Sequence, residues 1–206
     1  MQQKPARRSN RERTEETRSA LLAAGRTLFI EKGYAETGTP EIVKAANVTR
    51  GALYHHFRDK EDLFRAVVRQ EARAVGEEIE ASVTETIAPL EALKDGSAAY
   101  FNAMAIPGRA RLLLLDGPAV LGPEEMSRID RETGGGSLLE GLAALRGNAS
   151  DQETRALADM LSAAFDRAAL AIAFGESRTE YEAAMGILLE GLFGTGENAS
   201  SNGNPG

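Results

Sequence analysis

Between Gly33 and Leu63 this sequence cannot sustain one long helix, because its capping and turn residues cut it into short pieces in a set order. Thr39-Pro40 opens a helix, with threonine as N-cap and proline at N1, where its missing N–H costs nothing. That helix has room for only about two turns, since Asn47-Val48-Thr49 interrupts it. After glycine, asparagine is the residue most at ease in left-handed backbone, which a tight inter-helix turn needs. Thr49 then caps a second short helix, Arg50 to Phe57, and Asp59 caps a longer one, with Asp62 in a carboxylate variant of the capping-box spacing. Upstream, Thr14 reads as an N-cap with Glu15 and Glu16 in the first turn. Leu21, Ala24, Leu28 and Phe29 recur at helical spacing behind it, and Gly33 closes that helix. The long helix runs from about Lys60 to Ser82, with Leu63, Phe64, Val67, Val68, Ala72, Val75 and Ile79 facing inward.

Three helices and a long fourth, with a short turn between the second and third, describe a helix-turn-helix head. A helix that lies in the major groove of DNA needs one face of hydrogen-bonding groups and small residues and an opposite face anchored to a core. In Thr49-Arg-Gly-Ala-Leu-Tyr-His-His-Phe57, Leu53 and Phe57 form the anchor, and Gly51 and Ala52 let the backbone come close. Thr49, Arg50, Tyr54, His55 and His56 offer donors or acceptors, and Lys60 stands ready for a phosphate. Each has a bland alternative: Arg50 as a solvated surface charge, Tyr54 as a core aromatic. His55 and His56 are adjacent on a helix and point in different directions, which argues against a metal site.

At these residues the sequence resembles the tetracycline-repressor-like (TetR) regulators. The resemblance lies in Leu21 to Tyr34, Ile42 to Val48, Thr49 to Phe57 and Asp59 to Leu63, about 50 residues together. It implies a homodimer whose recognition helices read a palindromic double-stranded DNA operator, with a pocket for a small-molecule effector in a larger C-terminal domain. Carried over by position, Thr39 and Pro40 begin the second helix near a phosphate, Arg50, Gly51 and Ala52 face base edges, and Tyr54, His56 and Lys60 hold the backbone. Asn47 and Val43 depart from the Gly and Ala usual there. The function implied is a repressor released by its effector; the alternative is a ligand-independent or architectural DNA-binding protein.

The rest of the chain reads as helical throughout, so the fold expected is all-α: a basic arm over 1–13, a three-helix head over 14–58, a helical body over 59–193 entered by the connecting helix 59–82, and a disordered tail over 194–206. Charge divides along the same line. Residues 1–70 carry 14 Lys and Arg against 9 Asp and Glu, while the whole chain has a net charge of −7, which suits a basic head meeting phosphates and an acidic body staying off the duplex. With no cysteine, disulfides and thiolate metal sites are excluded. The N-terminus lacks the apolar stretch of a signal peptide and no apolar run suits a bilayer, so a bacterial cytoplasmic protein without membrane partner, cofactor or metal is expected. No glycine loop for phosphates and no recommended pair of carboxylates suggests an enzyme.

Within the body, Pro107-Gly108, Asp116-Gly117-Pro118 and Gly122-Pro123 read as breaks, and Asp95-Gly96 as a candidate one. Apolar residues there are core first, some with room to line a pocket: Tyr100, Phe101, Met104, Leu113, Met126 and Phe165, with Arg109, Asp116, Asn102 and Asp166 as polar anchors. Two terminal helices, Asp151 to Phe174 and Glu180 to Phe193, carry wide apolar faces. Leu157, Leu161, Ala164, Ala168, Ile172, Met185, Leu188 and Leu192 are the residues expected to build a four-helix dimer interface.

Overall fold

Helix α1, Asn10–Glu36, starts before the threonine expected to cap it. The Thr14 hydroxyl donates to the Asn10 carbonyl at 2.9 Å, one turn back, and so sits inside the helix. The same residue types cap helices and back-bond within them, which is why the sequence points to the wrong one of the two roles. The structure is a computed structural model that describes residues 10–82, 88–133, 136–146 and 151–194. Most of the expected basic arm (1–9), the tail from 195 and Gly134-Gly135 lie outside the described residues.

The described residues are helical, with no strand among them, as the sequence leads one to expect. After α1 come α2 (Thr39–Ala45), α3 (Arg50–His56), α4 (Lys60–Ser82) and α5 (Pro89–Met104). Asp95-Gly96 does not break α5. Then follow α6 (Arg109–Arg111), a π-helical turn (Leu112–Asp116), α7 (Gly117–Leu121) and α8 (Pro123–Thr133). Here the expected irregularity around Asp116-Gly117-Pro118 is absorbed as a wider turn without leaving the helix. Helices α9 (Ser137–Arg146), α10 (Gln152–Ala173) and α11 (Arg178–Phe193) complete the chain.

These elements form two compact units. The first takes residues up to Ala74 and Pro107–Thr133, and the second takes Val75–Ile106 and everything from Gly134. The segment 107–133 therefore folds with the head, a division that differs from one drawn at residue 59. Two contacts show why. Gly108, at φ +79°, lies so close to α1 that a Cβ there would fall 2.4 Å from Ile30 Cγ2. Glu71 on α4 accepts from Arg26 of α1 and from Arg109 of α6, both at 2.9 Å.

In the first unit, Leu21, Phe29, Ile42, Leu53, Leu63, Phe64, Leu112 and Ile129 are fully buried. Phe29 meets Phe64 edge to face at 5.0 Å, and Tyr34 meets the same ring at 5.0 Å. Gly25 keeps α1 close to α4, where a Cβ would stand 3.4 Å from Leu63. Helix α1 kinks at Gly33 (φ 81°, ψ 167°), and the buried Thr37 places its hydroxyl 2.7 Å from the Gly33 carbonyl and 3.1 Å from that of Leu28.

The second unit has a hydrocarbon core. Leu93, Phe101, Leu142, Leu161, Phe165, Met185 and Leu189 are buried together, with Leu157, Ala164, Ile172 and Tyr181 packed against them. Tyr100, Phe101 and Phe165 form a ring cluster with centroids 5.6–5.7 Å apart.

Candidate nucleic-acid interface

The turn between α2 and α3 is built on Asn47, whose φ of 53° is the one positive value outside glycine among the described residues. Asn47 donates its N–H to Lys44 O at 3.2 Å and Val48 donates to Val43 O at 3.0 Å, closing α2 while the chain reverses. Val43 is half-buried there and its extra volume is accommodated. At the other side of the turn Thr49 accepts from the Ala52 N–H at 3.1 Å, satisfying one of the free donors of α3. The cap of α2 falls one residue earlier than its sequence suggests: Gly38 is N-cap, Thr39 is the first helical residue and Pro40 the second. The Glu41 carboxylate accepts from the Gly38 N–H at 3.4 Å and also pairs with Lys32.

Helix α3 shows its two faces clearly. Leu53 and, just past its end, Phe57 are buried, so the helix is pinned from below. Thr49, Arg50, Gly51, Tyr54 and His55 are exposed, and Ala52 and His56 are half-buried. Arg50 reaches forward one turn, donating to the Tyr54 hydroxyl at 3.4 Å with its guanidinium 5.5 Å from the ring centroid. Hydrogen bonds from Arg50 and then Thr39 hold the Tyr54 hydroxyl below the usual tyrosine pKa. Tyr54 thus brings the start of α2 and the middle of α3 to one place, with Pro40 exposed beside them.

His55 and His56 stack edge to face at 5.3 Å. Burial, and then the charges of His55 and Arg18, press the His56 imidazole below its ordinary pKa, with Glu15 acting weakly the other way. At neutral pH His56 is a neutral donor or acceptor. Lys60 does not stand free for a phosphate. Its ammonium donates to the carbonyls of Tyr34 (2.8 Å) and Thr37 (3.0 Å) and lies 4.1 Å from the Tyr34 ring centroid. It ties the C-terminal end of α1 to α4 instead.

The residues marked for a ligand pocket divide between the units. Tyr100, Phe101, Met104 and Phe165 belong to the second, and Arg109, Leu113, Asp116 and Met126 to the first. Each polar anchor is already engaged within its own unit. Arg109 is buried on Glu71, Asp116 pairs with Arg111 at 3.4 Å, Asp166 accepts from Tyr100 at 2.7 Å, and Asn102 accepts from Arg178 at 2.6 Å. Burial alone would raise the Glu71 carboxyl, but hydrogen bonds from Arg26 and Arg109 outweigh it and hold the group below the usual carboxylate range. Neither Glu71 nor Thr37 is marked by any local motif; both matter through partners far along the chain.

Of the residues expected at a dimer interface, Leu161, Ala168 and Met185 are buried in the core of their own unit, and Leu157, Ala164 and Ile172 pack against that core. A single chain already covers them. Leu188 and Leu192 are exposed, together with Met160, Phe174 and Ile187, which the sequence reading left aside. Both terminal helices are apolar on more than one face, and sequence alone does not say which face points inward.

Two family descriptions match the chain: "Bacterial regulatory proteins, tetR family" over residues 21–67, and "Tetracyclin repressor-like, C-terminal domain" over residues 90–193. The transcriptional regulator AcrR of Shigella flexneri is 35% identical over 108 residues, covering 52% of this chain and 50% of AcrR. The transcriptional repressor BepR of Brucella suis is 45% identical over 64 residues, or 31% of this chain and 30% of BepR. The chain thus spans about half or less of the length of these curated relatives. A crystal structure of a TetR-family transcriptional regulator from Pectobacterium atrosepticum is 33% identical, covers 90% of this chain and 95% of that one, and superposes with a TM-score of 0.63.

Proposed function

This chain belongs to the tetracycline-repressor family of bacterial regulators, and on that premise we propose that it is a homodimeric, sequence-specific DNA-binding repressor released from a palindromic operator by a small molecule. The observation that carries the reading is the polar, exposed side of α3, with Arg50, Gly51, Tyr54 and His55 set over the buried Leu53 and Phe57. Arginine on such a helix pairs with guanine through two parallel hydrogen bonds. Thr39, Pro40 and Tyr54 are placed to hold a phosphate, and Thr49 and Ala52 border the same face.

Two copies supply the symmetry of a palindrome. The exposed Met160, Phe174, Ile187, Leu188 and Leu192 form the apolar surface proposed for their contact, since apolar side chains of this number are costly to leave in water. A dimer must hold its recognition helices about 34 Å apart, or a multiple of that, so an effector that alters the separation forfeits contacts worth about 1–3 kcal/mol each. No described helix is long and apolar enough to cross a membrane, which fits action in the cytoplasm.

A mobility-shift titration on DNA upstream of its own gene tests the reading. Binding at 10⁻⁸ M or tighter, on the order expected for a specific regulator, is expected at physiological salt. Failure to bind any duplex at low salt overturns it. Tight binding that no ligand releases leaves a ligand-independent DNA-binding protein. Sedimentation should give a dimer, and Ile187→Glu a monomer.

A further inference from the structure

A slot of about 360 Å³ opens between α1 and α4 in the first unit, closed at one end by His56 and Phe57. Its α4 wall is Asp62, Arg65, Ala66, Arg69, Gln70 and Arg73, which recur at three- and four-residue steps and so share one face over about 16 Å of helix. Arg18 and Leu22, one turn apart on α1, form the opposite wall. Four guanidinium groups therefore converge on one small space that contains a single carboxylate, Asp62.

That carboxylate is spent. Asp62 accepts the Arg58 N–H at 3.1 Å and pairs with the side chains of Arg58 and Arg65. Arg65 is held by Glu61 and Glu125 as well. The others are not matched in this way. Arg18 lies over the Phe57 ring at 5.4 Å, and neither it nor Arg73 is paired with a carboxylate among the described residues. Arg69 meets Glu132 at 3.1 Å through one terminal nitrogen, while its Nε is buried with no hydrogen-bond partner. A solvated basic face would leave that N–H in water. Burying a donor of a charged group without an acceptor is costly, and such groups mark the place of something that accepts.

We propose that this slot is a binding site for a small soluble polyanion bearing at least two phosphate or carboxylate groups, held by Arg18, Arg69 and Arg73 with His56 at its end. Guanidinium groups favour oxyanions because their paired N–H bonds match two oxygens at once. The neutral His56 imidazole adds a donor without adding repulsion. The volume suits a small molecule, near the lower end of ligand pockets. The site is separate from the effector pocket expected in the C-terminal part, and it does not depend on α3 reading DNA.

The full chain, free of DNA, is titrated with sodium pyrophosphate and, in parallel, with citrate, at an ionic strength held constant with chloride. One-site saturation by calorimetry is expected with at least one of the two, which also tells phosphate from carboxylate. Arg73→Gln, at an exposed position, should weaken it at least tenfold, and Arg69→Gln should do the same if that variant keeps its helical signal. The chain has two histidines, so the His56 ring resonances can be assigned; they should move on saturation more than those of His55. Heats that never saturate, or saturation indifferent to Arg73→Gln, overturn the proposal. So does a chain that ignores both anions while Arg73→Gln lowers the salt slope of duplex binding, which assigns the slot to the DNA backbone.

Discussion

The two units hold their helices together by opposite chemistry. In the first, charged groups from distant segments meet: Glu71 with Arg26 and Arg109, Arg65 with Glu125, Arg69 with Glu132. In the second, Phe101, Leu142, Phe165 and Leu189 make a hydrocarbon core, and the polar contacts Lys94 to Glu190 and Arg178 to Asn102 lie outside it. The difference teaches something about registry. A helix that slides by one turn strands a buried charge, whereas a helix with leucine or alanine on several faces finds hydrocarbon wherever it turns. The first unit presents a polar face on α3 in one defined orientation. The second leaves apolar residues exposed on α10 and α11, available to another apolar surface.

The sharpest way to break this contrast is Glu71→Gln, which leaves two guanidinium groups facing each other without their carboxylate. We expect a loss of about 3–5 kcal/mol by urea unfolding at neutral pH. The gap from wild type should depend on acidity. The native pKa of Glu71 lies below its unfolded value, so the stability it contributes is complete above the ordinary carboxylate range and disappears as pH falls through the native value. The two unfolding curves should therefore draw together in acid. Leu189→Ala in the other core should cost about 2–5 kcal/mol with a gap that stays constant over the same range. Equal pH dependence in both variants would erase the distinction between the units.

Smaller effects test the α3 face. Arg50→Ala should lose about 1–3 kcal/mol of preference at one base pair per half-site in a binding series with altered operators. Lys60→Ala should lower folding stability while leaving the salt slope of DNA binding as it was, because its ammonium is committed to the Tyr34 and Thr37 carbonyls. Thr49→Ala, the smallest, should cost about 1 kcal/mol through loss of the cap to Ala52.

What could be read from the chain beforehand was what neighbours in sequence determine. Thr49 capping α3, Asn47 in left-handed backbone, and Asp59 accepting from Asp62 at 2.8 Å all follow from residue types within three or four positions of each other. The limits of α4 and the all-helical fold follow from periodicity. What could not be read were pairings across the chain: Arg109 with Glu71, Gly108 under Ile30, and Thr37 folded back onto α1. Arg109 looks like a ligand anchor in sequence because nothing near it is acidic enough to claim it. Leu161 and Met185 look like an interface because a stripe shows that a face is buried, not by what.

The π-helical turn at Leu112–Asp116 has a consequence for how this chain tolerates length changes. A turn of this type holds one residue more than its α-helical counterpart, so everything after it is rotated by about 100° relative to an uninterrupted helix. Gly117 then arrives where a Cβ would stand 3.0 Å from the Met126 side chain and from the Leu112 carbonyl. Deleting a single leucine from the run would restore regular winding and carry that glycine out of phase, driving a bulkier neighbour toward the methionine. A stretch of four like residues, seemingly the most expendable in the chain, is in effect a counted spacer.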